Sequence, residues 1–317
     1  MGLISKESIR RTVKKWLGGT AEPLPTPAPR IWREWSIGIY RGSCPFHFAA
    51  TQVPDQPVLT RQHVTDVPAL FVADPFMVRA DGRWWMFFEV WNGNTAKGDI
   101  ALASSEDGLA WKYEQVVLTE PFHLSYPYVF QWDNEWFMVP ETCQAKSIRL
   151  YRATQFPTQW TFVKSLLDGK RYVDPCPFYF QGRWWMLTGL GLPPYEANDL
   201  HLFHAKELTG PWKEHWKSPV VKGNVRIARP SGRVITFRSH AIRYAQDCDG
   251  GYGLRVRAFE ITSLSRWRYQ EHEADATPAL TGSGTGWNAS GMHHIDPHCL
   301  QDGTWIACVD GQIASSC

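Results

Sequence analysis

A chain of 317 residues suffices for one large domain or two of ordinary size. With 44% hydrophobic and 20% charged residues a substantial core is available, and a net charge of +2 without a long run of one sign excludes the electrostatic footprint of a nucleic-acid-binding protein. The longest apolar stretches, such as 84–90, are far too short to cross a bilayer, so no transmembrane segment is expected.

Residues 1–30 read apart from the rest. Arg10, Arg11, Lys14 and Lys15 alternate with Ile4, Ile9, Val13, Trp16 and Leu17, and a proline-rich connector follows over 23–29. The stretch lacks the unbroken apolar core of a secretory signal and predicts a basic N-terminal helix on a Pro-rich tether, a tail or a partner-docking element in preference to a membrane-surface helix, which usually needs a larger apolar face. The expected compartment is cytoplasmic. Seven cysteines, an odd number without metal-like spacing, agree with reduced and mostly buried thiols.

From residue 31 to 317 a unit recurs about every fifty residues. An aromatic hairpin occupies 72–89, 124–141 and 172–189, with a weaker copy at 294–311 and a degenerate one at 225–247. A further strand follows four of these hairpins and closes on Trp111, Trp160, Trp212 and Trp267, which are 49, 52 and 55 residues apart. Antiparallel strands with this period predict an all-β fold, a five-bladed β-propeller. The fifth hairpin runs out of chain before its outer strands. The stretch 36–46 resembles 147–157, so an N-terminal strand is expected in the last blade, closing the ring without an open edge.

Strand direction predicts where a ligand binds. The start of each blade's first strand and the end of its second share one rim. That rim receives Asp74 and Glu89 from blade one, Tyr126 and Glu141 from blade two, and Asp174 and Thr188 from blade three. Blade four supplies Asn224 to Arg229 with Asp247, and blade five His293, His294, Asp296 and Asp310. Seven carboxylates at one mouth would repel one another unless used or neutralised; Arg226, Arg229, His293 and His294 fall at the same end as partners. Close carboxyls are what glycosidic chemistry needs, one protonated and one ionised. Trp84, Trp91, Trp132 and Trp287 are candidate stacking platforms for a sugar ring. An Asp before Pro also serves as a turn acceptor, but blade two keeps Pro127 with Tyr126, so the turn does not require a carboxylate. His293 and His294 read equally as a channel-lining pair that hydrogen-bonds across blades and as a pair for catalysis or metal ligation.

The Asp-Pro dipeptides at 74–75 and 174–175, with Gly82-Arg-Trp-Trp-Met and Gly182-Arg-Trp-Trp-Met, resemble blade motifs of five-bladed glycosidases of glycoside hydrolase families 43 and 32. Over 35–311 the chain is more similar still to the propeller domain beside the transferase domain of glucosamine inositolphosphorylceramide transferases. The motifs are Phe122-His-Leu-Ser-Tyr-Pro, Val139-Pro-Glu-Thr, Ala228-Arg-Pro-Ser-Gly-Arg, Tyr244-Ala-Gln-Asp-Cys and Met292-His-His-Ile-Asp-Pro-His. The family 43 resemblance implies Asp74 as general base and Asp174 as the group tuning the acid. That pattern's acid is a Glu on the following blade, where the stretch around Asn224 and Arg226 has none. Glu141 is the substitute and Glu89 the second choice. Glu89, Tyr126, Arg226, Arg229, Asp247, His293, His294 and Asp296 are expected to contact substrate, with no cofactor and no metal.

The expected function is a glycoside-cleaving or glycosyl-transferring enzyme of surface-polysaccharide or glycolipid metabolism, acting on a glycan or sugar-containing small molecule. The alternative is a non-catalytic glycan-binding or scaffolding module that serves a partner transferase.

Overall fold

The computed structural model describes residues 32–51, 55–191 and 197–315, so the helix and tether expected over 1–30 lie outside the described residues. Within them the chain is almost wholly β. Strands β1 (Trp32–Cys44) and β2 (His47–Ala50) come first. Blade one is β3 (Ala69–Ala80), β4 (Arg83–Asn92), β5 (Lys97–Ser105) and β6 (Lys112–Leu118). Blade two is β7 (Ser125–Trp132), β8 (Glu135–Glu141), β9 (Ser147–Gln155) and β10 (Gln159–Asp168). Blade three is β11 (Tyr172–Phe180), β12 (Arg183–Leu190), β13 (Leu200–Ala205) and β14 (Lys213–Glu214). Blade four is β15 (Ile235–Phe237), β16 (His240–Asp247), β17 (Arg255–Ser265) and β18 (Arg268–Glu273), with β19 (Leu280–Thr281) also on β17. The last sheet runs β2-β1-β21-β20, where β20 is Ile295–Cys299 and β21 is Trp305–Ser315.

The fifth sheet is the expected closure: an N-terminal strand lies beside the C-terminal hairpin. Gly38 in β1 permits it, because a Cβ there would come within 2.6 Å of the Trp287 ring. The inner hairpins of blades one to four turn in two residues, both at positive φ: Asp81-Gly82, Asp133-Asn134, Gln181-Gly182 and Arg238-Ser239. Such turns match the right-handed twist of paired strands. Blade four uses Arg and Ser, poor residues for positive φ, and its β15 is only three residues long. That explains its weak repeat signal.

First strands of neighbouring blades pack around the axis, β3 on β7, β7 on β11 and β20 on β3. Apolar side chains fill the spaces between blades. Ile37, Met77, Met86 and Ile306 join blades five and one, and Val139, Leu150, Trp184 and Met186 join blades two and three. The ring is held by these faces and by β1.

Removal of residues 1–28 should leave the melting temperature unchanged, whereas removal through Gly42 takes most of β1 out of the last blade and should abolish cooperative unfolding. Equal melting curves for the two truncations would refute closure by β1.

Candidate functional site

Each blade enters the axial mouth through a residue followed by proline: Asp74, Tyr126, Asp174, Arg229 and Asp296. In blades one to three this residue has a left-handed backbone, φ 52°, 48° and 48°, and the ladder shifts register around it. A bulge re-aims a side chain at a cost of about 1–3 kcal/mol of backbone strain per residue. The side chains of Asp74 and Asp174 thereby leave the ordinary in–out alternation. Asp296 sits in an unshifted ladder opposite Cys308.

Carboxylates from second strands tie neighbouring blades to these bulges. The Asp74 N–H donates to Asp310 Oδ2 and the Asp174 N–H to Glu141 Oε2, both at 3.0 Å. Asp174 accepts from Arg229 Nε at 2.6 Å and from Gln246 Nε2 at 3.3 Å. His293 Nδ1 donates to Asp310 Oδ1 at 2.7 Å, and its Nε2 faces Asp74 Oδ1 at 3.7 Å. Trp35 stacks on His293 at 3.9 Å, and the Arg229 guanidinium lies 5.1 Å from the Tyr252 ring.

Above this floor opens a cavity of about 660 Å³. Asp74, Glu89, Glu141, Arg229 and His293 line its base. On one side stand Phe71 and Trp91, stacked at 5.6 Å, then His123 at 5.5 Å from Trp91. Glu89 is only 6% exposed, and its Oε1 has no hydrogen-bond partner. His123 Nε2 lies 3.7 Å from it. His123 Nδ1 accepts from the Gly98 N–H at 2.8 Å, so the neutral ring carries its proton on Nε2, toward Glu89. Glycine is needed at 98: a Cβ would fall 2.7 Å from Glu89 Oε1 and 2.1 Å from the Leu124 carbonyl oxygen.

The carboxyls divide by environment. Burial, outweighing the nearby His293, pushes Asp74 up to about 7. Burial and surrounding carboxylates raise Glu89 well above its ordinary value, and burial with Asp174 does the same to Glu141. Burial would also raise Asp310, but His293 hydrogen-bonded to it holds it below the usual carboxylate range. Burial would lower His293, yet Asp310 and Asp74 lift it above its ordinary value. Burial holds His123 and His294 down to about 4, so both are neutral at pH 7. Asp74, His293 and Asp310 offer donor atoms within 4.8 Å of one another, the set among the described residues with a spacing that would suit a cation.

Several expected contacts lie elsewhere. Asp174 is buried behind Arg229, outside the cavity wall. The Tyr126 hydroxyl exchanges hydrogen bonds with Gly232 and meets Cys176 at 3.1 Å, within the core. Asp296 is sealed under Arg233 and His298, and Asp247 lies among Arg257, Arg255 and Arg226. Arg226 is half exposed there. Both His294 nitrogens are buried without hydrogen bonds, the ring edge-on to Phe76 and Tyr126. Of the four candidate platforms only Trp91 lines the cavity; Trp84, Trp132 and Trp287 pack in the fold. The residues that sequence reasoning missed are Trp35, Phe71, His123, Arg171 and Tyr252. His123 lay in the quoted Phe122-His-Leu-Ser-Tyr-Pro motif, the one signal available.

The Asp74 shift has a testable sign. Unfolded, Asp74 loses its proton near its ordinary value; folded, only near about 7. In that window the native state binds more protons, so stability falls as pH rises and levels off above about 7. Asp74→Asn keeps a residue type that tolerates positive φ. It should stabilise by a margin that grows from about pH 4 to about pH 7, reaching at most about 4 kcal/mol. Denaturant titrations at several pH values check this; a pH-independent difference would count against a buried, protonatable Asp74.

The chain was compared with known proteins. It is 35% identical over 299 residues to glucosamine inositolphosphorylceramide transferase 1 of Oryza sativa subsp. japonica and 32% identical over 303 residues to that of Arabidopsis thaliana, covering 87% and 89% of this chain. The match spans only 40% and 39% of those proteins' own length. Among solved structures, the catalytic domain of a Coprinopsis cinerea GH62 alpha-L-arabinofuranosidase superposes with a TM-score of 0.56 at 12% identity, over 92% of this chain and 100% of that one. That likeness shows the propeller fold alone. Residues 33–312 match the family described as glucosamine inositolphosphorylceramide transferase 1, N-terminal, and the chain belongs to that family.

Proposed function

We propose that the axial cavity is the site of a carbohydrate-active enzyme that cleaves or transfers a glycosyl unit in surface-polysaccharide or glycolipid metabolism. The observation that carries this reading is the division of carboxyls at one cavity: Asp74, Glu89 and Glu141, which line it, are driven toward the protonated state, while Asp174 and Asp310 behind the wall are held against Arg229 and His293. Glycosyl chemistry needs a proton donor for the leaving oxygen and an ionised carboxylate for water or the anomeric carbon. Glu141 is the donor in this reading, with Asp174 beside it raising its proton affinity. Asp74, titrating near about 7, suits a general base at neutral pH. Glu89 is the second donor candidate, a cavity-lining acid with raised proton affinity that shares the wall with Phe71 and Trp91. The ring wall suits the apolar face of a sugar. The six described cysteines are all free thiols, in keeping with the cytoplasmic setting that belongs to this proposal.

A second reading is a glycan-binding module that serves a partner transferase. The chain's match to only 40% of the rice transferase favours it, since the remainder of that protein lies outside the match.

Turnover of a glycoside separates the two. Glu141→Gln should lower kcat by about 10²–10⁴-fold with little change in binding, and should spare substrates whose leaving group needs no proton. For the native protein, kcat/KM should rise with pH through about 7 as Asp74 ionises in the free enzyme. Binding without turnover in the native protein would establish the module instead.

A further inference from the structure

Six large apolar side chains stand well exposed among the described residues, and the two most exposed are neighbours: Trp216 at 64% and Trp267 at 68%. The Trp216 indole N–H donates to the Trp267 backbone oxygen at 3.1 Å, so both belong to one edge where blades three and four meet. Trp267 forms the β17–β18 turn. β17 begins beside Asp247, at the loop that delivers Tyr252 to the cavity, so the turn at its far end lies on the opposite rim.

Cations surround the pair. Lys217 lies 5.6 Å from the Trp216 ring and Arg266 5.6 Å from the Trp267 ring. Lys213 and Arg268 are exposed beside them. Arg183, from the β11–β12 turn, gathers with Arg266 and Lys213 near His204, whose affinity for a proton is lowered by burial and by their charge. The carboxylates of these segments are Glu207 and Glu214, and Glu214 is held by His201 at 2.7 Å. The edge is therefore basic.

Exposed indoles are costly in water, and a soluble fold of this size buries most of its aromatic surface. Indoles ringed by Lys and Arg have the composition of side chains that sit at lipid headgroups, the ring among the upper acyl carbons and the cations at the phosphates. Trp216 and Trp267 stand exposed on turns, a shape that fits a surface able to yield. We infer that this edge docks the propeller onto an anionic lipid bilayer, with Trp216 and Trp267 inserted at headgroup level. The cavity then opens on the rim turned away from the bilayer. This inference does not depend on the reaction proposed above.

Co-sedimentation of the full chain with phosphatidylcholine vesicles, with and without phosphatidylglycerol, tests it. The native chain should partition onto the anionic vesicles and much less onto the neutral ones. Trp216→Ala with Trp267→Ala should weaken partitioning at least about tenfold, and Lys213→Glu with Lys217→Glu and Arg266→Glu by a similar or larger factor. These side chains are exposed, and circular dichroism with melting curves checks that the variants fold. Native binding to anionic vesicles that both variants retain would assign it to another surface, such as the basic segment 1–20, and overturn the inference. Failure of the native chain to bind overturns it as well. So does retention on poly-glutamate without vesicle binding, lost with the indoles, which would make an acidic chain the partner. Indole-dependent self-association in sedimentation velocity without vesicle binding would make a second copy the partner, with the same consequence.

Discussion

The Arg233–Asp296 pair at the propeller axis is the contact on which the rest of the architecture depends. Arg233 Nε donates to Asp296 Oδ1 at 2.6 Å, and its other nitrogens reach the carbonyl oxygens of Val129 and Met77. Asp296 accepts in addition the Met77 N–H at 2.7 Å and His298 at 3.0 Å. One guanidinium thus joins blades four, five, one and two. Such a pair stabilises only if its remaining hydrogen-bonding capacity is satisfied, and removing one partner typically costs about 3–5 kcal/mol. Here the backbone of neighbouring inner strands supplies the missing partners, so the strand positions and the ion pair specify each other. Gly232 adds a second lock: it bridges β20 at Ile295, and a Cβ there would fall 1.7 Å from the Ile295 oxygen.

That lock explains why five equivalent positions have different fates. Each blade carries a residue before proline at the equivalent place in its repeat, yet only three of these sit in bulges. Asp74 and Asp174 are turned out of the ladder by their bulges. Tyr126 is bulged as well, but its ring reaches across to Gly232 and Cys176 and becomes part of the central packing. Blade four carries the opposite charge, Arg229, which neutralises Asp174 on the adjacent blade. Blade five keeps an unshifted ladder, and its Asp296 is committed to Arg233. One dipeptide pattern therefore yields one cavity acid, a buried acid with its counter-charge, and two structural anchors.

The propeller was legible in the sequence because a repeat reports itself: periodic hairpins and regularly spaced tryptophans fix blade number, and the orphan fifth hairpin calls for a partner strand. The rim was legible for the same reason, since strand direction alone places Asp74, Glu89, Glu141 and His293 at one end. What alternation could not reveal was side-chain direction where a bulge interrupts the ladder, or which of several acids a given arginine would claim. Asp296 and Asp174 look alike as Asp-Pro dipeptides, but one turns toward Arg233 and the other toward Arg229. His123 and Tyr252 come from connections between strands, where no period operates.

Three carboxyls lining one cavity, with two more packed behind it, raise the question of how the fold tolerates them. Asp174 is paired with Arg229 and Asp310 with His293, while burial moves Asp74, Glu89 and Glu141 toward neutrality. The acids that line the cavity are thus drawn toward their neutral forms, and each protonation state depends on the others. A cationic ligand would draw protons from the raised acids and bind with proton release. An anionic ligand would hold those protons on while meeting Arg229 and His293, both already engaged by carboxylates. A neutral ligand disturbs this balance least, since it neither draws protons from the raised acids nor competes with the carboxylates for Arg229 and His293.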